Sequence, residues 1–209
     1  MSAVLERVRV LQMGMRPYES TLAAMREFTA RRGADTPDEL WLLEHPPVYT
    51  LGLAADAAHG PKAGGTGDTI PVLRVERGGE ITYHGPGQIV LYTLVDLARR
   101  GIKVKQFVTM LEQSVIDLLG SRAERQPGAP GIYVGGAKIA ALGIRVSRGC
   151  AFHGLALNVD MDLAPFSAIN PCGFPGLPVT QTRDLGMRDS TDALGKKLAG
   201  ILTGKLENA

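Results

Sequence analysis

The sequence predicts an α/β (α+β) fold: a single domain, residues 1–209, built on a mixed, largely antiparallel sheet flanked by helices. Strand-like segments outnumber helical ones and do not alternate with them one for one, which argues against a doubly wound parallel sheet. Gly135-Gly136 separates two apolar runs, the signal of a two-residue hairpin between antiparallel strands. A length of 209 residues, 44% hydrophobic and 21% charged, suits one folded unit with its own core. The chain has no internal repeat and no segment with the composition of a linker.

Each element has a local cause. Over Pro17–Arg32, Tyr18, Leu22, Met25 and Thr29 form one helical stripe opposite Glu19 and Arg26, and Gly33 ends the helix. Strands are expected at Glu39–Leu43, Val48–Leu51, Val72–Arg77 and Ile89–Leu94. A second helix runs Lys103–Leu119, with Val104, Phe107, Val108, Leu111, Val115 and Leu118 at spacings of three and four before Gly120 stops it. Further strands follow at Ile132–Val134, Ala137–Val146 and Phe152–Val159, and a third helix, diluted by Gly195, Gly200 and Gly204, at Thr191–Leu206. Ala54–Thr69 and the proline-rich Pro165–Pro178 read as irregular.

Composition excludes several classes. Lysine and arginine (23) exceed aspartate and glutamate (21) by only two, too little to make nucleic acid the expected partner. The longest apolar run, around Ile89–Val95, falls far short of the ~20 residues that span a bilayer. Glu6, Arg7 and Arg9 break up the N-terminal apolar residues, unlike a signal peptide, so the expected location is the cytoplasm. There the two cysteines, Cys150 and Cys172, stay thiols.

Three stretches carry candidate chemistry. Arg77-Gly78-Gly79-Glu80-Ile81-Thr82-Tyr83-His84-Gly85-Pro86-Gly87-Gln88 places four glycines and a histidine between two strands. It reads either as backbone that approaches a ligand closely or as a glycine-rich turn. It is not a phosphate loop, since neither Gly-Lys-Ser/Thr nor a helix-opening G-x-G-x-x-G is present. In Gly135–Gly143, alternation sets Lys138 on a face with Ala140, Leu142, Ile144 and Val146. Lys138 either snorkels to water or is a buried cation that stabilises an anion. In Asn170-Pro171-Cys172-Gly173-Phe174-Pro175-Gly176, proline and glycine forbid a regular element, and a loop brings the Cys172 sulfur within reach of a substrate. Cys150, entering a strand, reads as buried. Zinc held by Cys150 and His153 is disfavoured, because an offset of three puts them on opposite faces of a strand. A cysteine–histidine dyad with His84 or His153 as base stays open.

Together these stretches resemble the lipoyl(octanoyl) transferases, the octanoyl-[acyl carrier protein]:protein N-octanoyltransferases. The similarity lies in Arg77–Gln88, Gly136–Gly143, Phe152–Val159, Ile169–Gly173, Leu43–Gly52 and the first helix, and so covers nearly the whole chain. It implies the fold of the lipoate and biotin protein ligase catalytic domain and transfer of octanoyl from octanoyl-acyl carrier protein to a lipoyl-domain lysine, in protein lipoylation. Acceptors would be the lipoyl domains of 2-oxoacid dehydrogenases and the glycine cleavage H protein. The resemblance implies no ATP, no other cofactor and no metal, and a monomer. It makes Cys172 the acyl-carrying nucleophile and Lys138 its partner. Arg77, Gly78, Gly79, Glu80, Ile81, Thr82, Tyr83 and His84, with Ala141, Leu142, Gly143, Gly154, Leu155 and Ala156, would line the acyl site.

The chemistry agrees with that assignment. Exchange of one thioester for another is nearly thermoneutral and later transfer to an amine gives a stabler amide, so no nucleotide is needed. A cysteine thiolate is a strong nucleophile whose thioester stays reactive toward amines. The alternatives are an ATP-dependent lipoate or biotin ligase, which would need a phosphate-binding loop, and a non-catalytic lipoyl-domain or acyl-carrier binding protein. Arg145 and Arg148 are candidates for meeting an acidic carrier, or are simply solvated.

Overall fold

The computed structural model describes residues 8–56, 61, 69–171 and 176–209. A seven-stranded sheet forms its centre, in the order β1 (Arg9–Met15), β2 (Glu39–Glu44), β6 (Gln88–Asp96), β10 (Cys150–Asn158), β9 (Ala137–Ser147), β8 (Ala129–Val134) and β7 (Ala123–Gln126). Only β1 and β2 pair in parallel; the other neighbours are antiparallel. A smaller sheet sets β3 (Val48–Leu51) between β4 (Val72–Arg74) and β5 (Ile81–His84). The mixed, largely antiparallel sheet expected from the sequence is therefore present. The helices are α1 (Tyr18–Arg31), α2 (Val104–Leu119) and α3 (Thr191–Glu207).

The helices cover the large sheet because their apolar stripes need a surface to bury. Phe107, Leu111 and Val115 of α2 and Leu194, Leu198 and Leu202 of α3 join Leu40, Leu91, Ile139 and Leu157 in one core on one face. Tyr18, Leu22 and Met25 of α1 pack with Trp41, Tyr92 and Phe152 on the other. A third cluster, Tyr49, Ile81, Tyr83 and Phe166, sits around the small sheet. Among the described residues no helix is long and apolar enough to cross a membrane.

Several expected elements change. The strand expected over Val72–Arg77 pairs only to Arg74, after which Val75 donates one hydrogen bond to the Leu51 carbonyl and the chain turns into the glycine-rich loop. Ile81–His84, read as part of that loop, is strand β5, because Ile81 and Tyr83 bury themselves in the third cluster while pairing with β3. Strands β1 and β7 went unrecognised. β1 is exposed along most of its length and β7 alternates poorly, so neither has a one-sided apolar pattern. The Gly135-Gly136 hairpin forms as expected, with φ of 57° and 82° at its two turn residues, a pair that glycine adopts without strain.

Asp38, fully buried, holds the edges of these layers together. Its carboxylate accepts hydrogen bonds from Arg100 Nε (2.5 Å), Arg99 Nη2 (3.0 Å) and the Asp96 amide (2.8 Å), and pairs with Arg32. Arg32 also reaches the Leu94 carbonyl and Arg100 the Leu206 carbonyl, so one carboxylate links the ends of α1, β6 and α3. Burial alone would raise the Asp38 pKa, but the Asp96 amide and the Arg100 and Arg32 guanidiniums outweigh it and hold the carboxyl below its usual range. Asp38→Asn, which strands buried cations, is expected to destabilise the fold by about 3–5 kcal/mol. A carboxyl with a lowered folded pKa stabilises above its unfolded value of about 3.9 and stops doing so as pH falls through the folded value. Urea denaturation should therefore show the gap between wild type and variant at pH 7 narrowing in acid.

Candidate active site

Where β5, β9, β10 and the loop before β5 meet, they enclose a cavity of about 220 Å³. Most of the residues expected to line an acyl site line it: Arg77, Gly79, Glu80, Ile81, Thr82 and His84 from the loop and β5, Ala141, Leu142 and Gly143 from β9, and Gly154, Leu155 and Ala156 from β10. The β9 and β10 residues face each other in register, Ala141 with Ala156, Leu142 with Leu155 and Gly143 with Gly154. Two expected residues stand apart. Tyr83 turns its ring toward Tyr49 and Phe166. Gly78 contributes backbone, its amide donating to the Ile144 carbonyl at 3.0 Å.

The small residues here have two distinct causes. A Cβ on Gly154 would lie 2.1 Å from the Leu91 carbonyl oxygen, and one on Gly143 would lie 2.7 Å from that of Gly78. Those glycines let backbones approach. Ala141 and Ala156 are the positions where a short side chain leaves space beside the cavity.

In the polar lining Arg77, His84 and His153 are buried, Glu80 is partly exposed, and the two histidines are held uncharged. Arg77 donates from Nε to Thr50 Oγ1 (3.1 Å) and from Nη2 to the Thr50 carbonyl (2.6 Å). His84 shares a 2.7 Å hydrogen bond between Nδ1 and Gln88 Oε1, and its ring stacks on Tyr18. Burial, with the nearby His45 and Arg77, pushes the His84 pKa down to about 3. Burial and Arg77 push His153 down to about 3 as well. Both rings are neutral near pH 7.

Lys138 is 4% exposed, so its ammonium does not snorkel to water. Nζ donates to the Pro130 carbonyl at 2.8 Å and lies 5.3 Å from the centre of the Tyr133 ring. The backbone on both sides is clamped: the Lys138 amide donates to Pro178 and the Thr180 amide donates to the Lys138 carbonyl, at 2.8 and 2.9 Å. Pro171 borders a smaller cavity together with Lys138, Thr82 and Ala141. Thr82 and Ala141 line both cavities, so Lys138 stands next to the large one. Cys172 and Gly173 lie outside the described residues. Cys150 is buried, and desolvation pushes its thiol up, as its strand position led us to expect. Arg148 donates to the Ala30 carbonyl at the end of α1 (2.8 Å), so it is not simply solvated.

Sequence reasoning missed Tyr18, Val90, Tyr92, Gly128 and Pro130 as cavity residues, and considered His153 only as a metal ligand or base. Tyr18 looked like one more apolar residue of a helical stripe. The others reach the cavity from elements far apart in the chain, and no local pattern announces that.

Residues 17–199 match the lipoyl protein ligase A/B catalytic domain. An octanoyltransferase of Thiobacillus denitrificans is 58% identical over 196 residues, covering 92% of this chain and 88% of the relative. The chain belongs to the octanoyltransferase family. Among solved structures, a bi-partite lipoate protein ligase from Thermoplasma acidophilum superposes with a TM-score of 0.76 at 16% identity, covering 96% of this chain and 84% of the other. A biotin protein ligase from Aquifex aeolicus gives 0.60 at 10% identity, covering 96% and 71%. The fold is thus shared with both kinds of ligase, as the sequence resemblance implied.

The depressed histidines of this family member make a direct prediction. The His84 and His153 ring resonances should not titrate between pH 5 and pH 8 in NMR spectra. An imidazole with a lowered folded pKa stabilises the fold above its unfolded value of about 6.5, so stability should fall as pH drops from there toward 3.

Proposed function

We propose that this member of the octanoyltransferase family moves octanoyl from octanoyl-acyl carrier protein to a lipoyl-domain lysine, through a thioester on Cys172. The observation that carries the reading is a buried lysine ammonium beside an acyl-sized apolar cavity, with Pro171, the residue before Cys172, bordering the same small cavity as that lysine.

In the first half-reaction, the Cys172 thiolate attacks the carbonyl carbon of the donor thioester. A new carbon–sulfur bond forms, the bond to the carrier sulfur breaks, and Lys138 gives its proton to the departing thiolate. Lys138 is then neutral. In the second, the acceptor amine attacks the Cys172 thioester, Lys138 takes the amine proton, and Cys172 leaves as thiolate. The ion pair is restored and no ATP is consumed. The positive charge of Lys138 favours the thiolate at the outset.

An apolar cavity of roughly 150 Å³ accepts benzene, so one of about 220 Å³ is on the scale of an eight-carbon chain. The same reading has the chain act as a single catalytic domain, as a monomer, in the cytoplasm, where reducing conditions keep Cys172 a thiol. Acceptors would be the lipoyl domains of 2-oxoacid dehydrogenases and the glycine cleavage H protein.

Mass spectrometry after incubation with octanoyl-acyl carrier protein should find one octanoyl group on Cys172. Cys172→Ala should abolish transfer and Cys150→Ala should leave it largely intact. A thioester mapped to Cys150, or transfer that requires ATP and free octanoate, would overturn the reading. Lys138→Met should move the pH midpoint of Cys172 alkylation upward; an unmoved profile would remove Lys138 from thiolate activation. Ala141→Leu, which fills the cavity beside Lys138 by about two methylenes, should cost about 1.6 kcal/mol, roughly tenfold in kcat/KM, for octanoyl and hexanoyl alike. No loss with either chain would place the acyl group elsewhere.

A further inference from the structure

His153 is a costly residue in the cavity wall. Its φ is +62°, in the left-handed region that non-glycine residues rarely occupy. Its side chain is 1% exposed, and neither ring nitrogen has a hydrogen-bond partner among the described residues. Hydrogen bonding therefore does not explain the imidazole, and an apolar side chain would lose less on burial. Strain and unpaired polarity that persist together mark positions retained for function.

The ring is also fixed. It stacks on Phe152, with centroids 5.0 Å apart and planes at 25°, and meets Tyr92 edge-on at 5.9 Å. Thr93 Oγ1 donates to the His153 carbonyl at 2.9 Å, at the point where β10 passes from pairing Ala151 with Val95 to pairing Gly154 with Tyr92.

Its place along the cavity matters most. Gly79 and Gly128 are exposed where they line the cavity, and Tyr92 and His153, whose rings meet edge-on, are buried. Ala156, opposite Ala141 at the Lys138 side, is three residues from His153 on β10, about 10 Å at strand spacing. An extended chain covers about 1.1–1.2 Å per bond, by the reach of a peptide backbone, so eight carbons span roughly 8 Å. We propose that His153 is the end wall of the acyl cavity and sets the chain length accepted, stopping chains longer than octanoyl. This rests on the acyl-transfer reading above.

The test compares octanoyl with decanoyl donors by kcat/KM and by the yield of acyl-enzyme. His153→Gly, which removes the wall and suits the positive φ, should raise the decanoyl-to-octanoyl ratio about tenfold, or about 1.4 kcal/mol, the order that burying two further methylenes supplies. His153→Asn, shorter and tolerant of the left-handed region, should shift the ratio the same way, and decides the matter if the glycine variant does not fold. His153→Phe keeps the bulk and should keep the wild-type ratio. An unchanged ratio in folded Gly and Asn variants overturns the proposal. So does loss of acylation with both donors, which would give His153 a part in the chemistry instead. Wild-type protein that never acquires an acyl group would overturn the acyl-transfer reading rather than this one.

Discussion

An ammonium group cannot be buried unless its neighbours supply oxygen, and Lys138 is buried within a sheet. Much of the local architecture follows from that requirement. The β8 chain bends so that the Pro130 carbonyl accepts from Nζ. Residue 131 must be glycine, with φ of +132°, because a Cβ there would lie 2.7 Å from the Ala140 carbonyl oxygen and 2.4 Å from Lys138 Cε. The β8–β9 register slips by one residue at the same place, between Ile132 and Tyr133. The chain returning from the proline-rich loop then pairs with the Lys138 backbone through residues 178–180. A buried cation is thereby secured beside a cavity that is otherwise largely apolar.

The cavity exists because the central strands are partly stripped of side chains. Gly154 lets β6 and β10 approach, and Gly143 lets the Arg77–Gly79 loop lie across β9. Ala141 and Ala156 leave the volume above them unfilled. The polar groups around that volume are held in different ways. Arg77 spends its donors on Thr50 and the Gly78 carbonyl. His84 is tied to Gln88, and burial keeps His84 and His153 uncharged. An acyl chain entering such a site meets few charges that it would have to desolvate.

The Asp38 cluster ties the elements together at the ends of the large sheet, and the core under α1 reaches the cavity itself, since Tyr18, Val90, Tyr92 and Ala156 belong to both. A platform anchored in this way tolerates a costly residue such as His153 in its wall.

The three helices, most of the strands, the Gly-Gly hairpin and the buried character of Cys150 were legible in the sequence, because each depends on periodicity or turn chemistry confined to neighbouring residues. Most of the cavity lining was legible only through the family resemblance, which the contiguous runs Arg77–His84, Ala141–Gly143 and Gly154–Ala156 carry. Strands β1 and β7 were not, because an exposed edge strand has no one-sided apolar pattern. Whether Lys138 snorkels or stays buried depended on a carbonyl eight residues earlier in the chain and on the return of residues 178–180. Whether Gly143 and Gly154 were small for the cavity or for the backbone depended on Gly78 and Leu91. Tyr18, Val90, Tyr92 and Pro130 joined the site, and Tyr83 left it, for the same reason: side-chain direction at a junction of four elements is set by packing between residues distant in sequence, which no local pattern records.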